Sequence, residues 1–137
     1  MARQCQEEVE RHWVSSSGRL AVELRARQIG KDLLVLITGG EPHIGAVGVG
    51  CPLGVRASAS VISLPEHRDD RMAHKAAERI SSTLNCTCTV VAGVHFDDIT
   101  PEEIRETMRL FEEVLEAFLK ARTMAGESRI CAEDPHI

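Results

Sequence analysis

The chain has 137 residues, 43% of them hydrophobic and 27% charged, and a net charge of −5. One globular domain of this size buries a core without disulfide or metal staples. The acidic balance argues against nucleic acid, which is held through basic patches, and no apolar run reaches the roughly 18 residues of a membrane span.

The N-terminal stretch MARQCQEEVERHWV is charged and has no apolar signal core, so a cytoplasmic protein is expected. Ser15 to Ser17 reads as a loop. Gly18 to Ile29 alternates, with Leu20, Val22 and Leu24 on one face and Glu23, Arg25 and Arg27 on the other. That is a half-buried strand. IGKD makes a hairpin turn into Leu33 to Thr38, LLVLIT, a short continuous apolar run suited to a strand covered on both faces. Ile44 to Val49 reads as a third strand despite its glycines, and Ala57 to Leu64, ASASVISL, as a fourth. Its small side chains imply that something packs closely on it.

A helix is expected from Asp69 to about Leu84, because Met72, Ala76 and Ile80 recur at helical spacing with Ala73 and Ala77 beside them. A fifth strand runs from Cys86 to Val94, where Cys86 and Cys88 face the same way and read as small apolar side chains on a buried face. Thr100-Pro101-Glu102-Glu103 is a capping box with proline at the first helical position. Ile104, Met108, Phe111, Leu115 and Phe118 then form one apolar stripe, ending near Met124 with Gly126 as the stop. The order β-β-β-β-α-β-α indicates an α+β fold: a mostly antiparallel sheet of about five strands with two helices on one face. Residues 1–126 form the single domain and residues 127–137 a loose tail. Small residues on both sides of ASASVIS call for cover on the second face, so a homodimer is expected.

Three of the six histidines share a pattern. His43, His67 and His95 each follow a strand end, in GGEPHIG, PEHRDD and GVHFDD. Strand-end loops commonly build sites. If these ends share an edge, the imidazoles converge with Glu41, Glu66, Asp69, Asp70, Asp97 and Asp98. Such a set suits a divalent metal, Zn, Mn or Fe, with His43, His67 and His95 as ligands. The other reading is three unrelated surface histidines, since the spacing matches no zinc motif. His12, His74 and His136 are assigned no role.

GGEPHIG is not a phosphate-binding P-loop, and GVGCPLG is followed by no helix as a dinucleotide fingerprint requires. Gly39 and Gly40 permit close backbone approach and turn N–H groups toward an anion, while Pro42 sets where His43 points. The plain alternative is a tight turn. Arg68, Arg71 and Lys75 at the start of the first helix add a second anion-binding device, or else a solvated charged face. No nucleophile paired with a base stands out.

The segments ITGGEPHIGAV, EHRDD and AGVHFDDITPEEI, within a likeness running from about Leu20 to Leu119, resemble the small LpdD-type proteins. That resemblance implies a chaperone or accessory subunit of UbiD-type decarboxylases of hydroxyaromatic acids. It implies binding of reduced prenylated FMN and help in delivering it. The implied cofactor site comprises Gly39, Gly40, His43 and Gly45, then His67, Arg68, Asp69 and Lys75, then His95. The resemblance implies a carrier and not an enzyme. A small metal-dependent hydrolase or lyase and a ligand-free docking subunit stay open beside it.

Overall fold

The computed structural model describes residues 11–65 and 69–129, the last four of these as backbone only. Six strands and two helices follow in the order β1 (Arg11–Ser17), β2 (Leu20–Ile29), β3 (Asp32–Gly40), β4 (Ala46–Leu53), β5 (Arg56–Ser63), α1 (Asp70–Leu84), β6 (Cys88–His95) and α2 (Pro101–Arg129). The fold is α+β as expected, with one strand more than the five counted from sequence. The additional strand is β1, which takes in the serines expected to be a loop. Serine has weak strand preference, and pairing with β2 places Ser15 opposite Val22. Trp13 holds the strand by packing edge-on against Phe118, with ring centroids 5.1 Å apart. Such a contact is worth about 0.5–1.5 kcal/mol beyond area burial.

The sheet order is β1-β2-β3-β6-β4-β5. Every neighbouring pair is antiparallel except β3 and β6, which run parallel. Two-residue turns close the three hairpins, each with a glycine at positive φ: Gly18, Gly30 and Gly54. The connection from β3 to β4 is different, because β6 lies between them.

One sheet face carries the core. Leu24, Ile37, Ala92 and Ala46 form a row across β2, β3, β6 and β4, and all four are fully buried. Helix α2 covers β1 and β2, and α1 covers β4, β5 and β6. Both helices therefore sit on one face. Close approach of α1 requires glycine beneath it. A Cβ on Gly48 would lie 2.6 Å from the Ala73 carbonyl oxygen, and one on Gly50 2.2 Å from that of Ala77. The GVGCPLG segment is thus a packing surface. Asn85 ends α1 in the left-handed conformation, φ 50°.

Two expected boundaries shift. The third strand runs Ala46–Leu53, because Ile44 and Gly45 belong to the bridge that precedes it. Helix α2 passes through Gly126 to Arg129, where the sequence reading stopped it near Met124. Glycine costs a helix only about 1 kcal/mol, too little to end one by itself.

The opposite face has no described helix on it. Leu36, Val91, Val47 and Ile62 form an apolar row there, and Ile62 is largely exposed. The close glycine contacts under α1 lead to a direct test. Gly50→Ala is expected to destabilise the fold by about 1–3 kcal/mol through overpacking, read from urea unfolding.

Candidate functional site

The parallel pairing of β3 with β6 sets Gly40 opposite His95. Both strands therefore end at one sheet edge, and the loops that leave them start side by side. From Gly40 the chain crosses over β6 before entering β4. The Glu41 N–H donates to the His95 carbonyl oxygen at 2.9 Å, and the Gly45 N–H to that of Ala92 at 2.9 Å. The crossing is close: a Cβ on Gly93 would lie 1.6 Å from the His43 carbonyl oxygen. GGEPHIG is thus neither a tight turn nor a hairpin. It is a bridge over a strand.

Its glycines each have a structural reason. A Cβ on Gly39 would lie 2.5 Å from the Ala21 carbonyl oxygen, and one on Gly40 1.9 Å from that of His95. Gly40 also holds φ +65°, where a side chain is strained. A Cβ on Gly45 would fall 1.9 Å from Asp69 Oδ2. The Gly45 N–H is already bonded within the sheet, and Gly39 and Gly40 pair with β6 in the ladder.

Asp69 organises the edge. It is only 4% exposed. It precedes α1 but makes no capping bond with its side chain. Its Oδ1 instead accepts the Val94 N–H at 2.9 Å, and its Oδ2 faces His43 Nε2 at 3.2 Å. His43 Nδ1 meets the Glu41 carbonyl oxygen at 3.1 Å. Both ring nitrogens of His43 thus face oxygen atoms. His95 lies beside it, with ring centroids 6.5 Å apart, and its Nε2 stands 3.1 Å from Asp97 Oδ1.

The loop after β6 is held from below. The Arg19 guanidinium grips Glu103 through two bonds, 2.7 and 3.0 Å, and donates to the Asp97 carbonyl oxygen at 2.9 Å. The capping box expected from sequence is present. The Glu103 N–H donates to Thr100 Oγ1 at 3.1 Å, and the Thr100 N–H to Glu103 Oε1 at 3.2 Å. The hydrogen bond from Arg19, and then that from the Thr100 backbone, hold the Glu103 carboxyl down at about 2.

The two imidazoles help to line a cavity of about 460 Å³. Its walls are apolar: Met72 of α1, Val94 of β6, Phe96 and Ile99 of the following loop, and Ile104 and Met108 of α2. His43, Asp69, Arg71 and His95 line it as well, and so does Thr107. Arg71 makes no ion pair among the described residues, in contrast to Lys75, which pairs with Glu112 of α2.

Of the site residues expected from sequence, the structure brings together His43, His95 and Asp69. Lys75 is not among the residues that line the cavity; it lines an adjoining depression with His74 and Asp70 that shares Arg71 and Met108 with it. Gly39, Gly40 and Gly45 shape the bridge and are not among the lining residues. His67 and Arg68 lie outside the described residues, so the third histidine of the expected metal set is not placed. Among the described residues, no group of three or more His, Cys, Asp and Glu is arranged to hold a metal ion. The apolar walls were missed from sequence. Ile104 and Met108 belong to the α2 stripe, and Ile104 stays half exposed. The stripe carries no mark in the sequence that separates wall positions from core positions.

Asp69→Ala leaves the Val94 N–H unpaired and frees the His43 ring. The expected loss is about 1–3 kcal/mol of stability, measured by urea unfolding, while Asp97→Ala, at an exposed position, changes it by less than about 0.5 kcal/mol.

Comparison with known proteins agrees with this architecture. A family model described as the prenylated flavin chaperone LpdD-like domain matches residues 16–123. Protein LpdD of Lactiplantibacillus plantarum (strain ATCC BAA-793 / NCIMB 8826 / WCFS1) is 35% identical over 82 residues, which cover 56% of this chain and 58% of that protein. The match thus spans a little over half of that relative's length. A chain from the crystal structure of a chaperone complex for yeast 20S proteasome assembly shares the fold. Its TM-score is 0.55, at 16% identity, over 80% of this chain and 94% of that one. The family match takes in the bridge, Asp69, the end of β6 and the first turns of α2, and the chain belongs to the family of LpdD-like prenylated flavin chaperone domains.

Proposed function

We propose that this protein holds reduced prenylated FMN and passes it to a UbiD-type decarboxylase without turning it over. One juxtaposition carries the reading: a cavity walled largely by apolar side chains is also lined by two imidazoles and by an arginine that has no ion pair among the described residues. Such a site suits an amphipathic ligand, with an anionic end at the mouth and a ring system inside. Its volume falls within the roughly 300–1,000 Å³ of small-molecule sites.

The anionic end of the cofactor is its phosphate. Arg71 offers the planar, many-donor guanidinium that phosphate favours. It stands in the first turn of α1, where the helix dipole adds positive potential. Asp69 and Asp70 oppose that potential. Asp69 is offset by its bonds to Val94 and by His43. Aliphatic and thioether side chains, with Phe96, cover the ring in place of the aromatic stacking partners that the composition lacks.

A divalent ion, Zn, Mn or Fe, is part of the proposal: His43 and His95 would hold it, and it would offset the phosphate charge. His95 lies against Asp97 through Nε2, a contact that orients an imidazole and raises its basicity as a ligand. His43 would have to release its contact with Asp69 or with the Glu41 carbonyl to bind. Two imidazoles leave the set short, so phosphate oxygens or His67 would complete it.

The thiols support carriage over nucleophilic chemistry. Burial raises the Cys86 thiol, and it pushes Cys88 up to about 11, which keeps both protonated and weakly nucleophilic.

The test is co-expression with a flavin prenyltransferase, anaerobic purification, and measurement of absorbance and metal content. Near-stoichiometric flavin is expected, with Arg71→Ala and His43→Ala each weakening binding by roughly tenfold, about 1.4 kcal/mol. Metal without flavin would favour a metal-dependent enzyme and overturn the proposal.

A homodimer formed through the apolar row of Leu36, Val91, Val47 and Ile62 belongs to the same reading. A sheet face of this kind is normally covered. Light scattering at micromolar concentration is expected to give the mass of two chains, and Ile62→Lys to shift it toward one. A purely monomeric wild type would exclude the dimer and leave the cofactor proposal standing.

A further inference from the structure

The loop between β6 and α2, residues 96–100, supplies much of the site. Phe96 and Ile99 line the cavity, and Asp97 Oδ1 stands 3.1 Å from Nε2 of His95, which lines it too. The loop's other polar contacts are local, reaching His95, Glu103 and Ile104. Among the described residues, one hydrogen bond ties the loop to a distant part of the chain, and Arg19 makes it. Arg19 lies beside Gly18 in the two-residue turn between β1 and β2, 78 residues from Asp97 and 84 from Glu103. Its Nη2 donates to the Asp97 carbonyl oxygen at 2.9 Å and to Glu103 Oε1 at 3.0 Å, and its Nε to Glu103 Oε2 at 2.7 Å. Glu103 Oε1 in turn accepts the Thr100 N–H at the far end of the loop. The guanidinium thus holds the loop at Asp97 directly and at Thr100 through Glu103. A planar fork of donors can do this, whereas a lysine ammonium is a point charge that cannot match it. An exposed ion pair contributes only about 0–1 kcal/mol of stability, so the consequence of this grip lies in where it holds the loop.

We propose that Arg19 is a positioning residue for ligand binding. By holding the Asp97 backbone it sets the carboxylate against which His95 rests, and so fixes where that imidazole meets the ligand. The proposal rests on the reading of this cavity as the cofactor site and names the residue that keeps one of its imidazoles in place. Arg19 is not among the residues that line the cavity, so its effect passes through Asp97 and His95. His43 has a separate support in Asp69. Binding groups have to be held within about 0.5 Å of their working positions, and supporting contacts supply that precision. Losing an outer contact that orients a ligating imidazole typically lowers affinity about 10–100-fold.

The experiment titrates reduced prenylated FMN anaerobically into wild type, Arg19→Lys, Arg19→Gln, His95→Ala and the double variant Arg19→Gln with His95→Ala. The ligand-free proteins are compared by NMR. Arg19→Gln and Arg19→Lys are each expected to bind about tenfold more weakly than wild type. In the His95→Ala background, Arg19→Gln should weaken binding by less than about twofold more, because the side chain it positions is gone. Without ligand, the ring signals of His95 should shift in Arg19→Gln, while those of Ile37 and Ile80 in the core stay in place. If Arg19→Lys keeps wild-type affinity, only the positive charge matters and the proposal fails. If Arg19→Gln weakens binding by the same factor with and without His95, the role is general support of the fold and the proposal fails. Unmoved His95 signals in Arg19→Gln also overturn it and leave the cofactor reading standing. If wild type takes up no flavin, the cofactor reading fails and takes this proposal with it.

Discussion

A single buried carboxylate ties this edge of the molecule together. Asp69 starts α1, accepts a backbone N–H from the end of β6, and faces the ring of His43 in the bridge. A carboxylate that is 4% exposed must have its charge answered locally. Here the partners come from two other segments, β6 and the bridge, so the local answer also aligns both with the start of α1. The helix gives up a side-chain cap at its N-terminus in the process. Gly45 follows from the same constraint, because any side chain there would meet Asp69 Oδ2. His43 is therefore positioned by the fold itself.

The bridge exists because of one topological choice. Had β4 paired directly with β3, a short turn would have sufficed. Inserting β6 between them forces the chain over the end of a strand, and a strand with any side chain at position 93 would block it. The same insertion makes β3 and β6 parallel, which puts their C-terminal ends on one edge. Ligand sites favour the carboxyl ends of parallel strands for this reason: several loops begin there together. The convergence of His43 and His95 is a consequence of that pairing.

Helix α2 performs two tasks along one stripe. From Leu110 onward its apolar side chains fill the core over β1 and β2. Before that point Ile104, Thr107 and Met108 line the cavity. Arg19 fixes this first part of the helix by gripping Glu103 and the Asp97 carbonyl. Core packing and the cavity wall are in this way properties of the same helix. The cavity is shaped by elements whose position the core already determines.

Local chemistry was legible in the amino-acid order. Alternation in β2, the capping box at Thr100, the α1 periodicity and the α+β class all appear there, because each depends on residues close in sequence. So did the three strand-end histidines as a pattern, and the likeness to the LpdD-type family. The strand β1 was hidden by serines whose place is set by β2 and Phe118. The extension of α2 past Gly126 was hidden because one glycine is a weak stop. What only the tertiary structure decided is which distant pieces meet. It set β6 between β3 and β4, gave the bridge glycines their close contacts, aimed Asp69 at Val94 and His43, and enclosed Thr107. Those outcomes depend on strand order and on how the helices pack on the sheet. No short-range pattern encodes either, because the energies that select them come from contacts between residues far apart in the chain.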